Sequence, residues 1–409
     1  MTRNRIIPAL LLCLSFDMSN SFAAGPMPPN GGARSAVIAT VGANDAETRL
    51  IEIYKDIGAY RIADAREKAD ALVASYPHFR LGQLVRGDLL LMAARPVNTF
   101  GAAPGAPADK MRDLRAEAMV RIQSLQQRPN PELIPKALLQ VGNDQKTVLV
   151  VDAKRSRLYV YSNEDGTLKL QTDYYISQGK LGVNKLKEGD QKTPIGVYAI
   201  NGRIPGQKLP DFYGVGALPL NYPNEWDRRN GRGGSGIWLH GTPSDNFSRP
   251  PLSSDGCVVL TNPDLQSLYG TAEVGKTTVL ISDGVEFITK AAWNKEHKAF
   301  NELIEDWSRD AESDDRSKLL ANYSSRFRSG QGENLNTWFN RQQKGLNGVH
   351  GLTVKLSDVS LFLYPGEDAM MVGTFTQETS IGKSKNVIRK RQYWVKEDSG
   401  WKIIYEGTA

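Results

Sequence analysis

Apolar positions change their spacing twice along the chain. From Asp45 to Leu91 they recur at helical intervals: Leu50, Ile53 and Tyr54 fall on one face, and Ala63, Ala65, Ala69, Ala71 and Leu72 give the next helix a small-residue surface for close packing. Tyr76-Pro77 ends that helix, another starts near Arg80, and after the loop "GAAPGAPAD" a further helix covers roughly Lys110 to Gln126. The period then shortens. "KTVLVVDAKRSRLYVYSNEDGTLKLQTDYYIS" is rich in Val, Leu and Tyr, with turns at Ala153–Arg155 and at Glu164-Asp165-Gly166, and predicts a β-meander. Short apolar runs follow in "PIGVYAI", "SGIWLHG", "CVVL" and "KTTVLISDG", with one short helix after Asn262, a candidate N-cap, and Pro263. From Glu286 the helical period returns, with Trp293, Phe300, Leu303, Ile304 and Trp307 on one face, and three long strands close the pattern: "GLTVKLSDVSLFLYP", "DAMMVGTFTQETS" and "NVIRKRQYWVKEDSGWKIIYEG".

These switches predict a multidomain α+β protein: a helical domain at 45–130, a mostly-β domain at 146–283, and an α+β domain at 286–409. The helical part resembles a single tetratricopeptide unit, and an ordinary helical hairpin domain accounts for it as well. A long helix followed by a curved antiparallel sheet ending in "YWVKEDSGWKIIYE" is similar to the cone-shaped nuclear transport factor 2-like superfamily, which implies an apolar pocket. Asp310, Glu312, Asp314 and Asp315 read as a solvated helix end.

Ahead of the first helix the pattern is that of a secretory signal peptide over residues 1–23: Arg3 and Arg5, the apolar run Ile6 to Ser15, then Ser21-Phe22-Ala23. Residues 24–44 read as a flexible leader, and an uncleaved signal segment acting as a membrane anchor is the alternative. The 409 residues carry a formal charge of +6, with no basic stripe interleaved with aromatics, so nucleic acid is not an expected partner. Of the two cysteines Cys13 lies in the signal segment, which leaves the exported chain a lone thiol, Cys257.

That thiol has a specific neighbourhood. His240 ends one short strand, Cys257 begins another, and "GTPSDNFSRPPLSSDG" loops between them. If the two strands pair, imidazole and thiol meet at one sheet edge, where the imidazole accepts the thiol proton. Gly256 would let a substrate carbonyl approach the backbone, and the N–H groups of Gly256 and Cys257 would form an oxyanion hole. Ser254 is either a local hydrogen-bonding support or a turn residue. Tyr222 and Asp227 either line a groove for the donor or are structural. A zinc site at His240, Asp245 and Cys257 matches no familiar spacing. His78, His297 and His350 read as a helix-junction, a solvated and a turn residue.

"HG" at 240–241, "SDGC" at 254–257 and "TPIG" at 193–196 together resemble the motif set of the YkuD-type L,D-transpeptidases, and "LNYPNEWDRRNGRGGSGIWLHG" looks like the branch typified by YafK. The resemblance implies action on peptidoglycan stem peptides in the periplasm through a thioester. Cys257 would be the nucleophile, His240 the general base and acid, and the Gly241 carbonyl the group that fixes the imidazole tautomer. Ser254, Asp255 and Tyr222 would contact substrate, a lipoprotein or second stem would be the acceptor, and no cofactor or metal is called for. Water as acceptor would make the site a hydrolase. Two departures from the family pattern stand out. Asp255 occupies the place of a second histidine, and must face away, pair with a cation such as Arg249, or orient His240. Val259 stands where Arg or Asn is usual. A degenerate site would leave a non-catalytic cell-wall scaffold.

Overall fold

The computed structural model describes residues 45–97, 99–101, 105–313, 315–344 and 351–409. The expected leader at 1–44, Asp314 and His350 lie outside the described residues. Among the described residues no helix is long and apolar enough to cross a membrane.

Four helices open the fold: α1 (Asp45–Gly58), α2 (Ile62–Ser75), α3 (Arg80–Met92) and α4 (Ala108–Gln126). Their shared core holds Leu50, Ile53, Ala65, Ala69, Leu72, Phe79, Leu81, Val85 and Leu89. Ala65 and Ala69 of α2 are buried and let the helices approach closely, whereas Ala63 and Ala71, expected on the same surface, are exposed. Phe247, from the loop between His240 and Cys257, packs into this helical core, 4.8 Å from the Phe79 ring.

Two sheets build the middle of the chain. The first has five strands, in the order Thr167–Tyr175, Arg157–Glu164, Thr147–Asp152, Thr278–Ser282, Gly196–Ala199. Its first three strands form the expected antiparallel meander, while Thr278–Ser282 joins Thr147–Asp152 in parallel. All six residues of Thr147–Asp152 are buried, because both faces of the strand are covered. Leu149 and Val151 face the second sheet, whereas Val148 and Val150 face the C-terminal part of the chain. The second sheet orders Val258–Val259, Trp238–His240, Gly216–Pro219 and Ile204–Pro205. Between the sheets lie Leu218, Leu239, Val258, Leu260 and, from the helix Asn262–Thr271, Leu265 and Leu268.

The C-terminal part is a 23-residue helix, Lys290–Glu312, against a six-stranded sheet. Phe300, Ile304 and Trp307 seat the helix on Phe327, Phe375, Trp394 and Ile403. The edge strand of this sheet was hidden from pattern reading. Leu138–Gln140, which precedes the first strand of the meander, pairs antiparallel with Thr353–Leu363, and Ile134–Pro135 pairs with Phe287–Ile288. Val148, Val150, Tyr159 and Leu280 share one core with Phe362, Met370, Val372 and Ile404, so the middle and C-terminal parts are fused through a common apolar layer. The acidic run after the long helix is not merely solvated. Glu312 accepts from the Val354 N–H at 2.7 Å, Asp310 from Asn322 at 2.7 Å, and Asp315 caps a helix through the Ser317 N–H at 3.1 Å. His297 likewise stacks on Trp293 and donates from Nδ1 to the Leu139 carbonyl at 2.8 Å.

Candidate active site

The strand Trp238–His240 runs antiparallel to Gly216–Pro219 and parallel to Val258–Val259, with Leu239 opposite Val258 and His240 opposite Val259. Leu239 and Val258 point into the inter-sheet core. Alternation turns Trp238, His240 and Val259 to the other face, and one further step of the chain sets Cys257 on that face, opposite Trp238. The Cys257 Sγ donates to the Gly236 carbonyl at 3.2 Å.

The imidazole is firmly held. Its Nδ1 donates to the Gly241 carbonyl at 2.8 Å, which leaves the lone pair on Nε2. The ring is 1 % exposed, enclosed by Tyr213 at 5.0 Å and Phe212 at 5.9 Å between centroids. Burial, reinforced by the Arg249 charge and only partly offset by the Gly241 bond, pushes its pKa down to about 4. Asn262 locks the covering segment in place. Its Oδ1 accepts from the Val215 and Thr242 N–H groups at 3.1 and 3.2 Å, and its Nδ2 donates to the Thr242 carbonyl at 2.9 Å. A Cβ at either Gly214 or Gly241 would collide with the same Asn262 oxygen. The helix N-cap is therefore Thr261, whose side chain accepts from the Asp264 N–H, one residue before the expected position.

The turn that carries the thiol is equally tied. Gly256 adopts φ +130°, and a Cβ there would strike the Lys192 carbonyl. Its carbonyl accepts from Thr193 Oγ1 at 2.9 Å, and the Gly179 N–H donates to the same Thr193 oxygen at 2.9 Å. The Thr-Pro-x-Gly segment thus buttresses the turn that carries Cys257. Ser254 is buried, donates to the Cys257 carbonyl at 2.6 Å and accepts from the Gly256 N–H at 3.1 Å. Two expectations change as a result. The Gly256 N–H already has a partner and is not an open oxyanion donor. Ser254 has its hydroxyl engaged within the turn, so it shapes the loop and does not present that group to substrate.

Charge around the sulfur is mixed. Burial pushes the Cys257 thiol up. The Trp238 N–H, Arg249 and Lys185 pull it down, and Asp255 pushes it up. Asp255 does not pair with Arg249 and does not orient His240. Its side chain, 68 % exposed, accepts from Lys180 at 2.8 Å and Gln191 at 3.2 Å. Lys185 is buried against Asp190 at 2.8 Å. Tyr222 also departs from the sequence-based expectation. It is buried in the inter-sheet core with its hydroxyl donating to the Gly233 carbonyl at 2.9 Å, so it packs and does not line an open groove. Asp227 closes a capping box with Asn224 and accepts from Tyr198 at 3.1 Å, a structural role. Among the described residues no three His, Cys, Asp or Glu side chains gather as metal ligands, so His240, Asp245 and Cys257 form no such group. Thr193 and Asn262 were missed as positioning residues. Thr193 stood in a visible motif, whereas nothing in the sequence ties Asn262 to residues 215 and 242.

Comparison with known proteins bears on residues on both sides of this site. The family model of the L,D-transpeptidase catalytic domain, YkuD, matches residues 146–281, and that of the Cds6 C-terminal NTF2-like domain matches 299–407. Among solved structures, Bd1075 of Bdellovibrio bacteriovorus superposes with a TM-score of 0.60 at 28 % identity, covering 68 % of this chain and 98 % of its own. The helical cell shape determining protein Pgp2 of Campylobacter jejuni superposes with a TM-score of 0.56 at 22 % identity, covering 70 % of this chain and 98 % of its own, a likeness of fold. No curated protein sequence matches significantly. The strands that bear His240 and Cys257 thus lie in a segment that matches the L,D-transpeptidase catalytic domain of the YkuD family, followed by one that matches the NTF2-like domain of the Cds6 type.

Proposed function

We propose that the protein is a cysteine acyltransferase of peptidoglycan stem peptides, working in the periplasm. The observation that carries this reading is the pairing of Trp238–His240 with Val258–Val259, which puts His240 and Cys257 on one sheet face while Gly241 leaves Nε2 free to accept a proton. At neutral pH a raised thiol and an imidazole lowered to about 4 make a neutral pair, so proton transfer accompanies attack instead of preceding it.

Cys257 Sγ bonds to the carbonyl carbon of the residue before a terminal D-alanine, and its proton passes to His240 Nε2. The oxyanion is left to the Cys257 N–H, since the Gly256 N–H is held by Ser254. Collapse breaks the peptide bond, and His240 returns the proton to the departing amine. An amine of a second stem or of a lipoprotein then attacks the thioester carbonyl and gives a proton to His240; the C–S bond breaks and His240 returns that proton to the Cys257 sulfur, and water in the amine's place would yield the free carboxylate.

Incubation of the purified protein with tetrapeptide muropeptides, analysed by mass, tests the reading. Loss of D-alanine is expected with the native chain and not with Cys257→Ala, and the product mass separates exchange from hydrolysis. Unchanged substrate in both tubes would favour a scaffold and end the proposal.

A further inference from the structure

Among the described residues three arginines are buried near the junction of the helical part and the two middle sheets, and two of them are fully answered. Arg121 bridges Glu47 and Glu117, and Arg157 bridges Glu47 and Asp173. The third, Arg249, lies in the loop between His240 and Cys257 and is 9 % exposed. Among the described residues no carboxylate forms an ion pair with it, and Asp255 goes instead to Lys180. Its guanidinium stacks over Phe212, 4.2 Å from the ring centroid, and uses Nη2 on the Phe212 carbonyl at 3.2 Å. A guanidinium has five N–H donors in a planar fork that suits a carboxylate, and leaving it buried without an anion is costly.

Its placement is fixed from both sides. The Arg249 carbonyl accepts from Tyr175 Oη at 2.8 Å and from Ser177 Oγ at 2.9 Å. The preceding Ser248 donates to Glu117 of α4 at 2.7 Å. Ser177 in turn exchanges backbone bonds with Val259, two residues past the thiol, at 2.8 and 2.9 Å. The same Phe212 ring that carries the guanidinium covers His240. Arg249 is close enough to both reacting side chains to act on their charge. The loop thus supplies a cation near the thiol, while the strand position two residues past it is the apolar Val259.

Building on the proposed acyl transfer, we propose that Arg249 is the specificity-determining residue of the site: its guanidinium binds the free C-terminal carboxylate of the residue released from the stem. Such a contact makes the site act on a chain end. A peptide whose terminal carboxylate is blocked, or whose susceptible bond lies inside a longer chain, lacks the anion that would pair with Arg249.

The test uses the full chain carrying Cys257→Ala, titrated by calorimetry with a stem tetrapeptide ending in D-alanine and with its C-terminal carboxamide. The acid is expected to bind at least about tenfold more tightly than the amide, as for a charge-assisted pair. The gap should close when Arg249→Met is added and persist in part with Arg249→Lys. Equal binding of acid and amide to the arginine-bearing protein overturns the proposal, as does a gap that survives Arg249→Met in a variant with native circular dichroism. Should Arg249→Met fail to fold, the acid–amide comparison and Arg249→Lys still decide. A clear gap in a protein whose native Cys257 turns over neither peptide would keep the carboxylate site and remove the transferase.

Discussion

The surroundings of Cys257 hold it as a thiol, which is unusual for the nucleophile it is proposed to be. Burial raises its pKa, and the Trp238 N–H, Arg249 and Lys185 oppose that only in part. Iodoacetamide labelling of Cys257 should therefore climb only above the ordinary thiol range, without the acid-side plateau that a preformed thiolate–imidazolium pair gives. Asp255→Asn removes a negative neighbour and should move that labelling midpoint down; an upward move would show that the Lys180 contact, and not the charge, matters. The base side has the opposite sign. A lowered His240 stays neutral as pH falls until about 4, so the acid limb of kcat/KM is expected near 4, well below the ordinary imidazole range. The meeting of His240 and Cys257 on one sheet face was legible because both lie at the ends of short apolar runs joined by a polar, Gly- and Pro-bearing loop. The residues that hold them were not. Asn262 reaches positions 215 and 242 through a side-chain amide, a contact with no periodicity to betray it.

The nucleophile turn is the element on which reactivity depends, and Thr193 is its bolt. One hydroxyl satisfies the Gly179 N–H and the Gly256 carbonyl, both buried. Thr193→Val keeps the shape and removes that oxygen, which should cost about 1–3 kcal/mol of stability by leaving polar groups unpaired. Urea denaturation measures the cost, and D-alanine release at saturating peptide measures the loosening of the thiol; unchanged values in both would show that the turn holds itself. Strand and helix positions were readable wherever one face is apolar, as in the meander at 147–175 and the helix Lys290–Glu312. Short strands were not. Leu138–Gln140 has three residues, too few to show an alternation, and its partner lies more than 200 positions away.

That small strand decides how the whole molecule is divided. Leu138 is fully buried in the core that Val148, Val150 and Tyr159 share with Phe362, Met370 and Ile404. Leu138→Ala should cost about 2–5 kcal/mol. Because the layer is common to both parts, tryptophan fluorescence and Cys257 labelling are expected to report the same urea midpoint, shifted together in the variant. Two separate midpoints would mean that the parts unfold independently. A segment near Trp226 strengthens the union: Glu225 pairs with Arg391 at 3.1 Å, and Arg232 pairs with Glu367 at 2.9 Å, just ahead of the glycines that lead to His240. The order of synthesis gives the shared layer one more meaning. The five-stranded sheet leaves the ribosome with one greasy side bare, and the residues that cover it, 362 to 404, are made only after all its strands have emerged. The nascent chain thus cannot seal that side early, and it depends on its own later segment, or on a chaperone, to keep the bare sheet from sticking to its neighbours.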